Sequence, residues 1–162
     1  MPYQPIIGTL GYVISQDGAQ VLLLHRTRPG DHHGGKYNGF GGKLEPGESV
    51  SACMRRELRE ESGLEAAALN LRGTVNWPGF GPNGEDWLGF IFVIAAYSGL
   101  PFAACAEGSI AWHPLEDLLA GRLPIWEGDK YFLPLVFDGD PRPFHGVMPY
   151  RSGWPLGWSF ER

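Results

Sequence analysis

The sequence predicts a layered α/β domain, and three features of the chain support this fold class. With 162 residues, of which 43% are apolar, the chain is long enough to bury a core without disulfides or structural metal. Its 24 glycines and 14 prolines are too many for a helix bundle, and they follow no pattern typical of disorder. Segments with strand character alternate with two or three helical segments, as expected for helices packed on a sheet. We find no repeat or linker and expect one domain over residues 1–162.

The N-terminal third predicts a β-hairpin followed by a loop. Residues 6–15 and 20–25 are apolar and β-branched, and a typical turn sequence, Asp17-Gly18, lies between them. The stretch 28–42 is polar and rich in glycine, so we expect a loop there. It contains two adjacent histidines, for which solvated positions are expected rather than a metal site.

The clearest helix is predicted over Val50–Ser62. Ser49 is suited to capping its N-terminus, and Gly63 is suited to ending it. A loop rich in glycine and proline is expected over residues 78–86, and further strands and helices follow the same periodicity rules. They are, in chain order, strands 69–77, 87–97 and 110–112, helices 115–119 and 129–137, and strands 144–150 and 158–160.

The composition excludes several classes of protein. No apolar run approaches the ~20 residues that a membrane-spanning helix needs, and the first residues lack the basic and apolar regions of a secretion signal. Cys53 and Cys105 lie far apart in no metal-ligand spacing, so neither a disulfide scaffold nor a zinc ribbon is expected. The net charge of −5 argues against a nucleic-acid polymer as partner. We therefore expect a cytoplasmic protein without a membrane partner.

The predicted helix carries an unusual arrangement of acidic residues. At about 100° per residue, Glu57 and Glu61 fall in the same sector as the apolar side chains, and Glu60 lies at its edge. Carboxylates at this spacing repel each other, and a nearby apolar surface increases the repulsion. A bound cation would relieve it, and oxygen ligands suit Mg²⁺ or Mn²⁺. The alternative is a solvated helix with surface pairs such as Arg56–Glu60.

A longer pattern contains this helix. It begins at Gly42, continues through Glu48 and ends in the run Arg56-Glu57-Leu58-Arg59-Glu60-Glu61-Ser62-Gly63-Leu64. Residues 42–64 resemble the Nudix box, the loop–helix motif of nucleoside-diphosphate-linked-moiety hydrolases, at every fixed position. The resemblance implies an α/β/α sandwich with a mixed sheet. It also implies Mg²⁺-dependent cleavage of a pyrophosphate linkage.

The resemblance assigns roles to individual residues. The metal ligands that it implies are Gly42, through its carbonyl, Glu57, Glu60, Glu61 and Glu107. One of the glutamates would also activate water, and Arg56 would orient the glutamates. Glu48 would anchor the loop to the helix or assist the metal site less directly. Glu107 is equally well explained as a plain loop acid.

Three segments outside the box resemble MutT-type 8-oxo-dGTP diphosphatases, namely residues 35–43, 126–134 and 144–146. In this resemblance Asn38 reads the base edge, Trp126 stacks on the purine, and Asp129 accepts hydrogen bonds from base N–H groups. Animal relatives have two adjacent acids in the second segment, whereas here Gly128 precedes a single acid. Each residue also has a structural alternative: Trp126 as core packing, Asp129 as a helix cap and Asn38 as a turn residue.

The expected function is therefore Mg²⁺-dependent removal of pyrophosphate from a purine nucleoside triphosphate, an oxidised one such as 8-oxo-dGTP. The rival activity is hydrolysis of dinucleoside polyphosphates, ADP-ribose or nucleotide sugars. A non-catalytic ligand sensor is the alternative outside enzymes, but such domains usually lose box glutamates that this chain keeps. The expected partner is the nucleotide substrate, with the chain acting as a monomer or a homodimer.

Overall fold

The computed structural model describes all 162 residues and contains fourteen strands and three helices. The elements are β1 (Ile6–Ile14), β2 (Gln20–Arg26), β3 (Tyr37–Asn38), β4 (Phe40–Lys43), α1 (Val50–Ser62), β5 (Glu65–Ala66), β6 (Asn70–Trp77), β7 (Trp87–Ile94), β8 (Tyr97–Ser98), β9 (Ala104–Cys105), β10 (Gly108–Pro114), α2 (Leu115–Leu119), α3 (Asp129–Val136), β11 (Phe144–Val147), β12 (Tyr150–Arg151), β13 (Trp154–Pro155) and β14 (Ser159–Glu161). None of the helices has the length and apolar character that a membrane-spanning segment needs.

Ten of the strands form one mixed sheet. The strand order is β14-β11-β6-β7-β1-β2-β10-β9, with β3 paired to β2 and β4 paired to β1. Strand β1 lies near the centre, parallel to β7 and antiparallel to β2 and β4. The predicted hairpin is confirmed, and its turn is closed by the Asp17 carboxylate, which accepts hydrogen bonds from the Ser15 hydroxyl and the Ala19 amide.

Helices cover both faces of this sheet, so the α/β/α sandwich is confirmed. Alternation along β2 divides the core: Val21 and Leu23 face one side, and Leu22 and Leu24 face the other. The first core contains side chains of α2 and α3 together with Trp126. The second core contains the apolar stripe of α1. The sheet therefore separates α1 from the segment that precedes α3.

Helix α1 has the bounds that its sequence predicts. The Ser49 hydroxyl accepts a hydrogen bond from the Ala52 amide at 3.0 Å, which caps the first turn. Gly63 ends the helix in the left-handed conformation, with φ of 77°, and its amide donates to the Arg59 carbonyl. These two caps fix which helical residues face the sheet, and so fix the direction of the glutamates.

Three sequence predictions need correction at strand level. Residues 37–38 and 40–42 were expected in a loop but lie in β3 and β4. Strand β4 forms because Gly41 allows a backbone approach to β1 at which any Cβ would overlap the Thr9 carbonyl oxygen. The strand expected over 87–97 ends at Ile94. The strand expected over 144–150 ends at Val147, and the following residues form a separate small hairpin.

Candidate active site

One open cavity of about 170 Å³ lies against the sheet. Its lining comes from distant parts of the chain: the start of β1, the segment 38–42, the ends of β6 and β7, and the turn before α3. Asn38, Gly42, Trp126 and Asp129, all singled out in the sequence, line this same cavity. The fold therefore brings the predicted base-reading residues together beside the start of the box.

Two of the box glutamates face the sheet next to this lining. The Glu57 side chain is 16% exposed and packs on Gly42, where any Cβ would overlap its carboxyl group. Glu61 is 8% exposed, and its Oε1 accepts a hydrogen bond from the Gly41 amide at 2.9 Å. Glu60 instead points toward solvent, with a side chain 57% exposed. The structure thus places the side chains of Glu57 and Glu61 together against the glycines of β4, whereas the Glu60 side chain lies outside this partly buried pair.

Burial changes the protonation of these two carboxyl groups. It raises the pKa of Glu61 to about 8, against the hydrogen bond from Gly41, and the charge of Glu57 raises it further. Burial also raises the pKa of Glu57, although Arg56 opposes the effect. Two such carboxyl groups one helical turn apart lack enough positive charge around them. A cation is the partner that this arrangement favours.

Arg56 links the loop before α1 to the glutamates. Its Nη2 and Nε donate to the two carboxylate oxygens of Glu48 at 2.7 and 3.0 Å. Its Nη1 donates to Glu57 at 2.8 Å and to Glu60 at 3.3 Å, and Nη2 also donates to the Lys43 carbonyl at 3.1 Å. The hydrogen bond from Arg56 lowers the pKa of Glu48 to about 2, so Glu48 remains ionised. Arg56 therefore holds the direction of the Glu57 side chain.

Glu107 lies in the turn between β9 and β10, where it is half-buried and accepts a hydrogen bond from the Cys105 thiol at 3.4 Å. Its charge contributes to the raised pKa of Glu61. No three His, Cys, Asp or Glu side chains converge closely enough to hold a metal ion in their present conformations. The donor set nevertheless fits a hard divalent cation in its chemistry, because it consists of carboxylate oxygens with too little compensating charge.

Trp126 also lines the cavity and is 7% exposed. Phe80 packs edge-on against it, with ring centroids 5.3 Å apart, and the Lys36 ammonium lies 5.2 Å from its ring centre. Its Nε1 donates a hydrogen bond to His33 Nδ1 at 2.7 Å. The expectation of a solvated loop is therefore wrong for His33, because the loop folds back over the indole.

Asp129 is the first residue of α3 and does not cap it, since the N-cap position belongs to Gly128. Its carboxyl is buried, and burial raises its pKa to about 7, with only the charge of Lys36 opposing this. A side chain at Gly128 would overlap the Tyr150 hydroxyl and the Met148 sulfur. This packing leaves no room for a second acid at position 128, directly before Asp129.

Asn38 lies where its side chain both stabilises a turn and lines the cavity. Its Oδ1 accepts hydrogen bonds from the Gly39 amide at 2.9 Å and the Tyr12 hydroxyl at 3.3 Å, so it does stabilise a turn. The same side chain lines the cavity. With Oδ1 engaged, the Nδ2 amide is the group left to donate toward a ligand.

Several residues of the cavity were not predicted from the sequence. They are Thr9, Leu10, Arg26, His33, Trp77, Phe80 and Trp87. The available signal was the presence of large aromatic side chains in and beside the Gly- and Pro-rich loop 78–86, where solvent exposure would be unfavourable. Arg26 has a buried Nε without a hydrogen-bond partner, although its Nη1 pairs with Asp31 at 3.3 Å.

Comparison with known proteins agrees with this geometry. The family model of the NUDIX domain matches residues 5–136. The chain is 31% identical over 147 residues to YvcI of Bacillus subtilis, named as an uncharacterized Nudix hydrolase, covering 88% of this chain and 87% of that protein. It is 34% identical over 118 residues to the oxidized purine nucleoside triphosphate hydrolase of Danio rerio, covering 73% and 72% of the two chains.

The fold comparison leads to the same family. The crystal structure of a MutT protein from Bacillus halodurans superposes with a TM-score of 0.79 at 27% identity, covering 96% of this chain and 97% of that one. The likeness therefore includes the elements on both faces of the sheet, outside the box. With a family match over residues 5–136 and a relative similar along nearly its whole length, this chain belongs to the Nudix hydrolases and is a pyrophosphohydrolase.

Proposed function

We propose that this protein hydrolyses purine nucleoside triphosphates, and oxidised ones such as 8-oxo-dGTP in particular, to the monophosphate and pyrophosphate. One observation carries the proposal: Asn38, Trp126 and Asp129, from distant segments, line one cavity that reaches Gly42 at the start of the box. A base held at the Trp126 end would extend its phosphates toward Glu57 and Glu61. The name of the Danio rerio relative supports the same substrate class.

The chemistry of the cavity suits a purine base. Stacking of a base on an aromatic side chain contributes about 1–3 kcal/mol in single-stranded nucleic-acid sites. The Nδ2 amide of Asn38 can donate to a base edge, and the Asp129 carboxylate can accept from base N–H groups. Both groups are held by the surrounding fold, so little side-chain freedom is lost when a ligand binds.

Nudix hydrolases generally use a divalent metal ion. In this proposal Gly42, Glu57 and Glu61 would hold Mg²⁺, or Mn²⁺ in its place, and Glu60 and Glu107 would join them only after their side chains turn toward the ion. The ion would neutralise charge that develops on the phosphoryl oxygens and make bound water more acidic. Arg56 positions Glu57, and one of the box glutamates accepts the proton of the attacking water.

A nucleotide panel tests the proposal directly. The purified protein is incubated with Mg²⁺ and dGTP, 8-oxo-dGTP, dATP, pyrimidine triphosphates, diadenosine polyphosphates, ADP-ribose and nucleotide sugars, and the products are separated by chromatography. Monophosphate and pyrophosphate from purine triphosphates support it. Cleavage of only the dinucleoside, ADP-ribose or sugar substrates would contradict it, and tight binding without turnover would indicate a sensor. The Glu57→Gln protein, prepared identically, excludes contaminating activity.

Two substitutions test the base site. Trp126→Ala should raise KM for purine triphosphates, because stacking stabilises the bound substrate and the transition state alike. Trp154→Ala, at an indole 63% exposed, is the matched control. Asp129→Asn should change the ratio of kcat/KM between 8-oxo-dGTP and dGTP by about tenfold, the size of one charged hydrogen bond. An unchanged ratio, together with an unchanged KM for Trp126→Ala, would remove the base assignment and leave the box chemistry in place.

A further inference from the structure

The loop between β2 and β3 places a histidine against the indole that lines the cavity. We propose that His33 is a positioning residue for base recognition, whose Nδ1 atom fixes the orientation of Trp126. This inference rests on the proposed function, because it assumes that the base binds beside Trp126. It concerns a side chain to which neither the box nor the resemblance assigns a role.

The hydrogen bond itself has one possible direction. The indole Nε1–H is a donor only, so His33 Nδ1 must be the unprotonated nitrogen that accepts at 2.7 Å. The imidazole meets the indole edge-on, with an angle of 77° between the rings, and therefore does not stack on the indole face. Because Trp126 is 7% exposed, its N–H has little access to water if this acceptor is lost.

The surroundings keep His33 in the accepting form. Burial lowers the pKa of His33 to about 4, and the nearby positive charge of Arg26 contributes to the lowering, as do His32 and Lys36, against the opposing charge of Asp31. The ring is thus neutral at neutral pH, with its proton on Nε2. The Nδ1 acceptor for the Trp126 indole N–H is therefore available at neutral pH.

The loop is built to hold this ring in place. Asp31 accepts a hydrogen bond from the His33 amide at 2.8 Å, and its other carboxylate oxygen pairs with Arg26 at 3.3 Å. Gly35, with φ of 79°, lets the chain turn back so that its amide donates to the Arg26 carbonyl at 2.6 Å. These contacts hold the backbone of His33 next to the end of β2, and none of them involves Trp126.

His32 provides a natural comparison. It is adjacent in sequence and exposed, and its ring centre lies 5.4 Å from that of Trp126, but it accepts no hydrogen bond from the indole. If the imidazoles acted only by covering the indole, both histidines would contribute in the same way. The hydrogen bond therefore distinguishes a positioning role from simple packing.

The test compares His33→Asn, His33→Phe and the control His32→Asn. Asparagine can place Oδ1 near the position of Nδ1 and so restore the acceptor, whereas phenylalanine keeps the ring and removes it. The first readout is KM and kcat for dGTP and 8-oxo-dGTP. The second is hydrogen exchange of the Trp126 indole N–H by NMR, with the resonance assigned from the Trp126→Phe spectrum.

We expect His33→Phe to raise KM about three- to tenfold with a smaller change in kcat, and to accelerate exchange of the indole proton. His33→Asn should restore most of both properties, and His32→Asn should behave as the wild type. Wild-type KM and exchange in His33→Phe would overturn the inference, as would an equal loss in His33→Asn. Failure of the base assignment itself would look different: Trp126→Ala would leave KM unchanged, while the exchange data would still report the hydrogen bond.

Discussion

The buried carboxyl of Asp129 gives the protein a pH-dependent stability that one substitution should remove. Burial raises its pKa from 3.8 to about 7, a shift of about 3 pH units. Each unit corresponds to about 1.4 kcal/mol, so the free energy of unfolding should change by up to about 4 kcal/mol from this group. Because Asp129 is 8% exposed and lines the open cavity, solvent screening makes this figure an upper limit.

The sign follows from the direction of the shift. The native protein holds the Asp129 proton up to about pH 7, whereas the unfolded chain releases it near pH 4. Below pH 4 both states are protonated, and the contribution of this group to stability is fully present. As the pH rises from about 4 through 7, the unfolded chain ionises while the native state keeps its proton, so that contribution is progressively lost, and above pH 7 the native state carries a buried charge. Asp129→Asn carries no titrating group and should not show this loss.

Denaturant unfolding of the wild type and Asp129→Asn at intervals from pH 4.5 to pH 8.5 measures the effect. The difference in unfolding free energy between the two proteins should move in favour of the variant by several kcal/mol across this range. Glu127→Gln, an exposed acid in the same turn, is the control and should show no such trend. A constant difference between wild type and Asp129→Asn at every pH would refute the reasoning.

Four further substitutions test other parts of the structure. Gly41→Ala should destabilise the fold by about 3 kcal/mol or more in denaturant unfolding, because its Cβ would overlap the Thr9 carbonyl oxygen, and wild-type stability would contradict the close approach of β4 to β1. Ser49→Ala should reduce stability by about 1 kcal/mol without changing KM, and a larger loss would show that Ser49 does more than cap α1. Glu57→Gln and Glu61→Gln should each lower kcat at least about a hundredfold while the circular dichroism spectrum stays unchanged, and near wild-type turnover of both would exclude this helix face from catalysis.

The elements that local sequence determines were predicted well. Helix α1 has its predicted bounds because a capping serine, a terminating glycine and helical periodicity are all read within one segment. The first hairpin was predicted for a similar reason, since its turn residues and its strand pattern are neighbours in sequence.

Some features that depend on distant contacts were not predicted. Strand β4 contains Gly41 and Gly42, which have low strand propensity, and it forms because β1 and α1 leave room only for glycine. His33 was expected in solvent because nothing near it in sequence shows that Trp126, 93 residues later, donates to it. The positions of Trp77 and Phe80 in the cavity lining were not predicted for the same reason, because only the tertiary structure brings these side chains together.

The placement of Trp126 has a consequence for how substrate preference can change. Trp126 lines the cavity, yet it also belongs to the first hydrophobic core, whose other buried residues do not line the cavity, among them Ile125, Phe132, Met148 and Tyr150. Close-packed interiors transmit small volume changes to their neighbours. Directed evolution toward another nucleotide should therefore recover substitutions among these core residues as well as among the residues that line the cavity. Mild heating that loosens this core should weaken nucleotide affinity before the sheet itself unfolds.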